Sequence, residues 1–113
     1  MQINYLDLSF TNMRGCDFTH CQAVEVKFCG ANLSNCIFND ATLKQALFRE
    51  AVIQGSSFER ANLSNCEMQK VIAKDCNFYK AKLAGADMKA GDFESSNFTE
   101  ANLSQANLER ASL

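Results

Sequence analysis

Proline and tryptophan are absent from this chain of 113 residues, and histidine occurs once. Without proline there is no PxxP segment to dock in an aromatic-lined groove. An excess of either charge is missing too: 11 Lys and Arg face 13 Asp and Glu, a net of −2. That balance argues against direct nucleic-acid binding through tracked phosphates, and equally against a strongly acidic imitation of nucleic acid. No apolar run approaches the roughly 18 residues of a membrane span, because Asn, Asp, Ser, Lys or Glu recurs every few positions. The opening Met1-Gln2-Ile3-Asn4-Tyr5 carries neither the basic region nor the apolar run of a secretory signal. These absences imply a soluble cytoplasmic chain that makes no membrane contact. The 47 % apolar content excludes a disordered chain, and the length suits one domain over residues 1–113.

Neither common hydrophobic period is present. A helix would place apolar residues at i, i+3, i+4 and i+7, and a half-buried strand would alternate. Here the spacing is five. From Ile3 the series runs Leu8, Met13, Phe18, Ala23, Phe28, Leu33 and onward to Leu103, Leu108 and Leu113. All 23 positions of the series are apolar, where the 47 % composition would supply about 11 by chance. Two residues before each centre the side chain is nearly always small, as at Cys16, Cys21, Ala31, Cys36, Ala41, Ser56, Ala61 and Cys76. Asp or Asn often stands between the two, as at Asp17, Asn32, Asn62, Asp87 and Asn102. A small and a large apolar residue separated by one polar residue describes side chains entering and leaving a narrow interior. The two remaining residues turn a corner.

A second period lies on the first. Phe18, Phe38, Phe58, Phe78 and Phe98 recur every 20 residues, as do Leu43, Leu63, Leu83 and Leu103. Cys16, Cys36, Ser56, Cys76 and Ser96 share one small-residue column. Twenty residues are four pentapeptides, so one coil has four sides and like residues stack on successive coils. Strand-like stacking at about 4.8 Å per coil predicts a rod of roughly 27 Å with five to six coils. The phenylalanines then form a core ladder along one inner wall.

The segments Ala31-Asn32-Leu33, Ala61-Asn62-Leu63, Ala86-Asp87-Met88, Ala101-Asn102-Leu103 and Ala106-Asn107-Leu108 resemble the A(D/N)LXX unit of the pentapeptide repeat family. The resemblance extends over the whole chain without a break in phase. It implies an all-β fold, a right-handed quadrilateral parallel β-helix. It says little about function, since that fold is mostly a scaffold.

The residues that could carry chemistry read as structural. Five of the six cysteines occupy the small inward position, where a buried thiol acts as a small hydrophobe. Stacked Cys16 and Cys36 come within disulfide reach, but a cytoplasmic chain keeps them reduced. Cys29 follows a centre, so it should lie nearest the surface and react first. His20 belongs at an outward corner while its neighbours Cys16 and Cys21 point inward, which defeats a zinc site or a Cys–His nucleophile. Gly15, Gly30, Gly55 and Gly85 belong at corners. A filled solenoid offers no catalytic cleft, so the expectation is no enzyme, no metal and no cofactor.

The surface carries the remaining expectations. Outward positions that are usually polar hold Ile37, Leu47, Val52 and Ile72, which suggests an apolar patch for an unidentified protein partner. Ala23 and Ala73 stand where a large residue is usual, and predict narrowing or small voids. Tyr5, Leu6 and Phe10 are placed to plug the N-terminal end. The repeat runs to Leu113 with no capping segment, which suggests a homodimer through terminal coils, or a repeat module of a larger bacterial effector. The family's quinolone-resistance branch supplies a further alternative: a DNA mimic that binds DNA gyrase. The last stretch is the more acidic one, with Asp92, Glu94, Glu100 and Glu109 against Arg110. Interleaved charge elsewhere, the unbroken phase and the lack of a dimerising helix count against that alternative.

Overall fold

A computed structural model describes all residues, Met1–Leu113. Its unit is a corner closed by one hydrogen bond. In the repeat around Leu43, the Ala46 N–H donates to the Leu43 carbonyl at 3.1 Å. The second corner residue, Gln45, takes a left-handed φ of 58°, as the third residue of a type II turn must. Every second corner residue from Tyr5 to Arg110 does the same, and 18 of them are not glycine. Such a backbone costs an L-residue on the order of 1 kcal/mol and persists only where the surroundings enforce it. The enforcement is visible: the Gln45 N–H donates to the Ser64 carbonyl one coil on, at 3.0 Å.

The coils are joined in the same way along each side. Leu43 donates to the Asn62 carbonyl at 2.7 Å, and Leu47 donates back to the Val26 carbonyl at 2.9 Å. Every bridge is parallel and joins residues 20 apart, from Gln2 with Gln22 to Asp92 with Ser112. Four five-residue sides therefore make one coil. We number the walls by their inward centres: wall 1 holds Leu43 and Leu63, wall 2 Phe48 and Met68, wall 3 Ile53 and Phe93, wall 4 the Phe18-to-Phe98 column. The longest extent of the molecule is 30 Å. No helix is long and apolar enough to cross a membrane.

The interior is one cluster of small and large side chains in alternation. On wall 4 the rings of Phe18, Phe38, Phe58, Phe78 and Phe98 stack with centroids 4.7, 4.9, 5.2 and 4.9 Å apart, all within 11° of parallel. Phe28 and Phe48 of wall 2 meet that ladder edge-on at 6.0 to 6.3 Å. Edge-to-face contact between opposite walls adds to the burial of the rings. Gly91 serves packing: the Phe93 ring lies where a Cβ would stand.

One expectation changes here. Tyr5 and Phe10 are left-handed corner residues, and with Leu6 they are exposed, so they do not plug the end. Phe10 lies over Gly30 of the next coil instead, filling the place of a side chain there. Ala23 and Ala73 are fully buried, and the molecule's one pocket lies on its surface, so neither opens a cavity of pocket size. Ala23 shares its coil with Phe28 and Phe38, and Ala73 stacks beneath Phe93 on wall 3.

Phe58 is wholly buried between Phe38 and Phe78, so Phe58→Ala should cost about 3–5 kcal/mol in chemical denaturation. A cost under about 1 kcal/mol would contradict the ladder. The corners give a second, controlled comparison. At Gly15 a Cβ meets nothing, whereas at Gly55 it meets Asn35 Oδ1 from the coil below. Gly15→Ala should cost only the left-handed strain, about 1 kcal/mol. Gly55→Ala should cost distinctly more, and an added Asn35→Ala should remove the excess in a double-mutant cycle.

Candidate binding surfaces and the buried polar column

The residue between the two inward positions faces outward, and its side chain has a structural task. Asn32 Oδ1 accepts from the Ser34 N–H at 3.1 Å and from Ser34 Oγ at 2.8 Å. Asp17 does this for Thr19, Asn62 for Ser64, Asn77 for Tyr79 and Asn102 for Ser104. This first corner N–H finds no backbone acceptor, so Asp or Asn two residues earlier caps it. The Asp/Asn preference at this position thereby has a cause that spacing alone did not reveal. The same bonds from Ser9 and Thr19 hold the carboxyls of Asp7 and Asp17 below their ordinary range.

Ile37, Leu47, Val52 and Ile72 occupy this outward position and cannot cap. The amides of Asn39, Arg49, Gln54 and Lys74, two residues on, accordingly lack a capping side chain. The four do not form one patch. Val52 and Ile72 are bridged to each other on wall 3. Leu47 lies around one corner on wall 2, half-buried, and Ile37 around the other corner on wall 4. Walls 2 and 4 are opposite sides of the coil. The contiguous apolar surface is thus Val52 and Ile72, and Ile72 is 42 % exposed. Its upper rim is an ion-pair cluster, with Lys74 Nζ 3.7 Å from Asp92 and 4.0 Å from Glu94.

The acidic stretch near the C-terminus is mostly engaged. Asp92 and Glu94 face Lys74, Glu109 faces Arg110, and Glu100 accepts from the Tyr79 hydroxyl at 3.3 Å. On wall 4 the Arg60 guanidinium meets Asp40 through two nitrogens at 2.9 and 3.1 Å. That fork lowers the Asp40 carboxyl and raises the guanidinium.

The inward column of Cys16, Cys36, Ser56, Cys76 and Ser96 is more than small filler. Ser56 Oγ donates to the Leu33 carbonyl at 2.7 Å and accepts from the Cys36 N–H at 2.9 Å. One coil on, the Cys76 thiol donates to the Ile53 carbonyl at 2.9 Å. Ser96 Oγ repeats the Ser56 pair, on the Ala73 carbonyl and the Cys76 N–H. Each polar atom stitches the corner of the coil below. Sequence reasoning read these residues as small hydrophobes; the Ser–Cys alternation on a 20-residue column was the available signal for a donor role. All six cysteines are free, Cys29 and Cys16 partly exposed and the other four buried. His20 is exposed at its corner, away from Cys21, and no three His, Cys, Asp or Glu side chains converge.

A coil of four five-residue sides, stacked on parallel bridges around a phenylalanine ladder, defines a quadrilateral β-helix. The Pentapeptide repeats family matches at residues 4–35, 27–65, 41–78 and 76–113, in eight copies. This chain belongs to that family, whose members form right-handed β-helices and are generally non-catalytic scaffolds. It is similar to a pentapeptide repeat protein of the Arabidopsis thaliana thylakoid lumen, at 27 % identity and a TM-score of 0.79. That match covers 80 % of this chain and 63 % of the other, so the chain spans less than two thirds of that relative. The fold also matches Rfr23 of the cyanobacterium Cyanothece 51142, at 16 % identity and a TM-score of 0.72 over 98 % of this chain and 86 % of that one. A trypsin-treated QnrB1, a plasmid-mediated fluoroquinolone resistance protein, matches at 19 % and 0.52, over 99 % and 79 %. No curated protein matches the chain.

Burial pushes the Cys76 thiol up from 9.0 to about 12 and raises Cys66, Cys36 and Cys21 as well. Above pH 9 the unfolded chain releases thiol protons that the native interior retains. Stability from these groups is therefore complete below pH 9 and falls as pH rises toward about 12. Alanine holds the Cys66 column at Ala46 and Ala86, so Cys66→Ala should fold. It should lessen the alkaline loss by about 1.4 kcal/mol per pH unit, measured by urea denaturation from pH 9 upward.

Proposed function

We propose that this protein is a non-catalytic scaffold that binds a protein partner through the wall 3 face centred on Val52 and Ile72. One observation carries the reading. Both residues stand where Asn or Asp would cap a corner amide, so an apolar pair, Ile72 exposed and Val52 half-buried, holds positions where polar residues serve the fold better. The ion pairs of Lys74 with Asp92 and Glu94 supply the polar rim that surrounds most interface centres. Leu47 extends the surface around its corner. Ile37, on wall 4, lies outside this surface. The six free thiols favour a reducing compartment, so the cytoplasm is part of the proposal. Pairing of two copies through terminal coils is a subsidiary proposal, which a monomer mass in light scattering removes.

The gyrase reading rests on the family's resistance branch. Weighing against it, the acids of the last coils face Lys74 and Arg110 instead of forming an open negative face.

The test uses Val52→Asn with Ile72→Asn. Thermal unfolding should stay unchanged or rise by about 1 kcal/mol per regained cap. Proteins captured by the native chain and lost with this variant are the expected partners; a capture pattern identical for both chains refutes the wall 3 site. A gyrase supercoiling assay with and without a fluoroquinolone runs beside it. Inhibition, or rescue from the drug, that survives the double substitution would replace the scaffold reading with the gyrase one.

A further inference from the structure

The corner between walls 2 and 3 carries the molecule's one pocket, a shallow groove of about 360 Å³. Six of its seven lining residues are polar or charged. Arg49, Gln69 and Lys89 stack at the first corner position on three successive coils, with Lys70 and Arg110 at the second. Four cations thus line a groove in which Asp87 is the one carboxylate.

Three of the four cations are free of ion pairs. The ion pairs of this structure involve Arg60, Lys74 and Arg110, and leave Arg49, Lys70 and Lys89 with no carboxylate within 4.0 Å. Of the neighbouring acids, Asp87 and Glu67 are held by other donors, Glu109 faces Arg110, and Glu50 stacks below Lys70 in the second corner column. Gln69 Nε2 donates to Asp87 Oδ2 at 2.9 Å and to Glu67 Oε1 at 3.2 Å, and the Lys89 N–H donates to Asp87 Oδ1 at 3.1 Å. Asp87 is therefore fixed against the wall by its cap and by an amide, and its bonds do not draw the flexible cationic ends out of the groove. Within a chain of net charge −2, the lining of this groove carries four cations to one carboxylate, with Glu50 and Glu109 flanking it in the same columns, and the lining is what a bound anion meets first.

We infer that this groove binds a small phosphorylated anion of two or more charges, with Arg49 and Lys89 as the principal contacts and Lys70 and Arg110 at the rim. The near-absence of apolar lining excludes a ligand held by burial, and a cluster of guanidinium and ammonium groups around a concavity matches phosphate oxygens in charge and hydrogen bonding. Stacking along the rod puts Arg49 and Lys89 two coils apart, roughly 10 Å at the backbone. Their long side chains can close that gap on one phosphoryl group or span two. The groove adjoins the wall 3 surface at the corner that Leu47 flanks, but it shares no residue with that surface, so substitutions in each test the two readings separately.

Inorganic phosphate, pyrophosphate and tripolyphosphate are titrated into the intact chain at low ionic strength, followed by amide shifts. Saturable shifts should centre on Gln69, Lys89 and Ala90, and affinity should rise with anion charge. Arg49→Gln with Lys89→Gln should weaken pyrophosphate about tenfold or more. Lys44→Gln, at the corner of walls 1 and 2, with Lys82→Gln on wall 1 removes the same charge outside the groove and should change affinity less than about twofold. Equal weakening by both pairs means diffuse attraction and overturns the site, as does the absence of saturable shifts with any of the three anions. Should the first pair fail to give a folded spectrum, Lys89→Gln alone carries the comparison, with a loss of about threefold expected and no change overturning the site.

Discussion

Everything in this molecule depends on the 20-residue register of the hydrogen bonds between coils. Each second corner N–H and each inward-centre N–H points to the coil above and each outward N–H to the coil below, so one slipped residue would unpair a whole side. The register also holds, through bonds to the next coil, 14 of the 18 left-handed non-glycine corners, which isolated turns of these residues would not keep. Strain is distributed along the rod and offset by bonds that only stacking supplies. A single coil therefore has no stability of its own, as in other repeat proteins whose units bury their faces on neighbours.

Side chains reinforce that register in two ways. Outside, Asp and Asn cap the corner amide that no carbonyl reaches. Inside, the Ser and Cys column ties each corner to the coil below through hydroxyl and thiol donors. The phenylalanine ladder is the apolar counterpart, since parallel rings near 5 Å apart fit the spacing that the backbone already sets. Function then has only the surface left to use. On wall 3 an apolar pair stands in place of two caps, and at the adjoining corner three cations stand without ion pairs. Both departures from what the fold prefers lie on the same edge of the rod, within a few residues of each other in sequence.

The period of five and the column period of 20 were legible in the residues because a solenoid repeats its environment at fixed intervals. The inward column of Phe58, the corner glycines and the family all follow from that repetition. The predicted plug of Tyr5, Leu6 and Phe10 was not legible, because periodicity assigns a direction to a side chain and says nothing about an end where no next coil constrains it. The supposed patch of Ile37, Leu47, Val52 and Ile72 failed as a unit. A four-sided coil of pentapeptides already puts Ile37 and Leu47, ten residues apart, on opposite sides; what the structure adds is the exposure of each side chain, with Leu47 and Val52 half-buried and Ile72 exposed.

By itself, then, the sequence determined the coil: its length, its four sides, which residues enter the interior and which stack. These are one-dimensional properties, carried by period alone. The tertiary structure decided what meets across coils and around corners. It made donors of Ser56 and Cys76, set Asn35 over Gly55, tied Asp87 to Gln69 and gathered Arg49, Lys70, Lys89 and Arg110 around one groove. Those contacts join residues about 20 apart whose side-chain directions depend on the corner geometry, and no pattern along the chain specifies that direction.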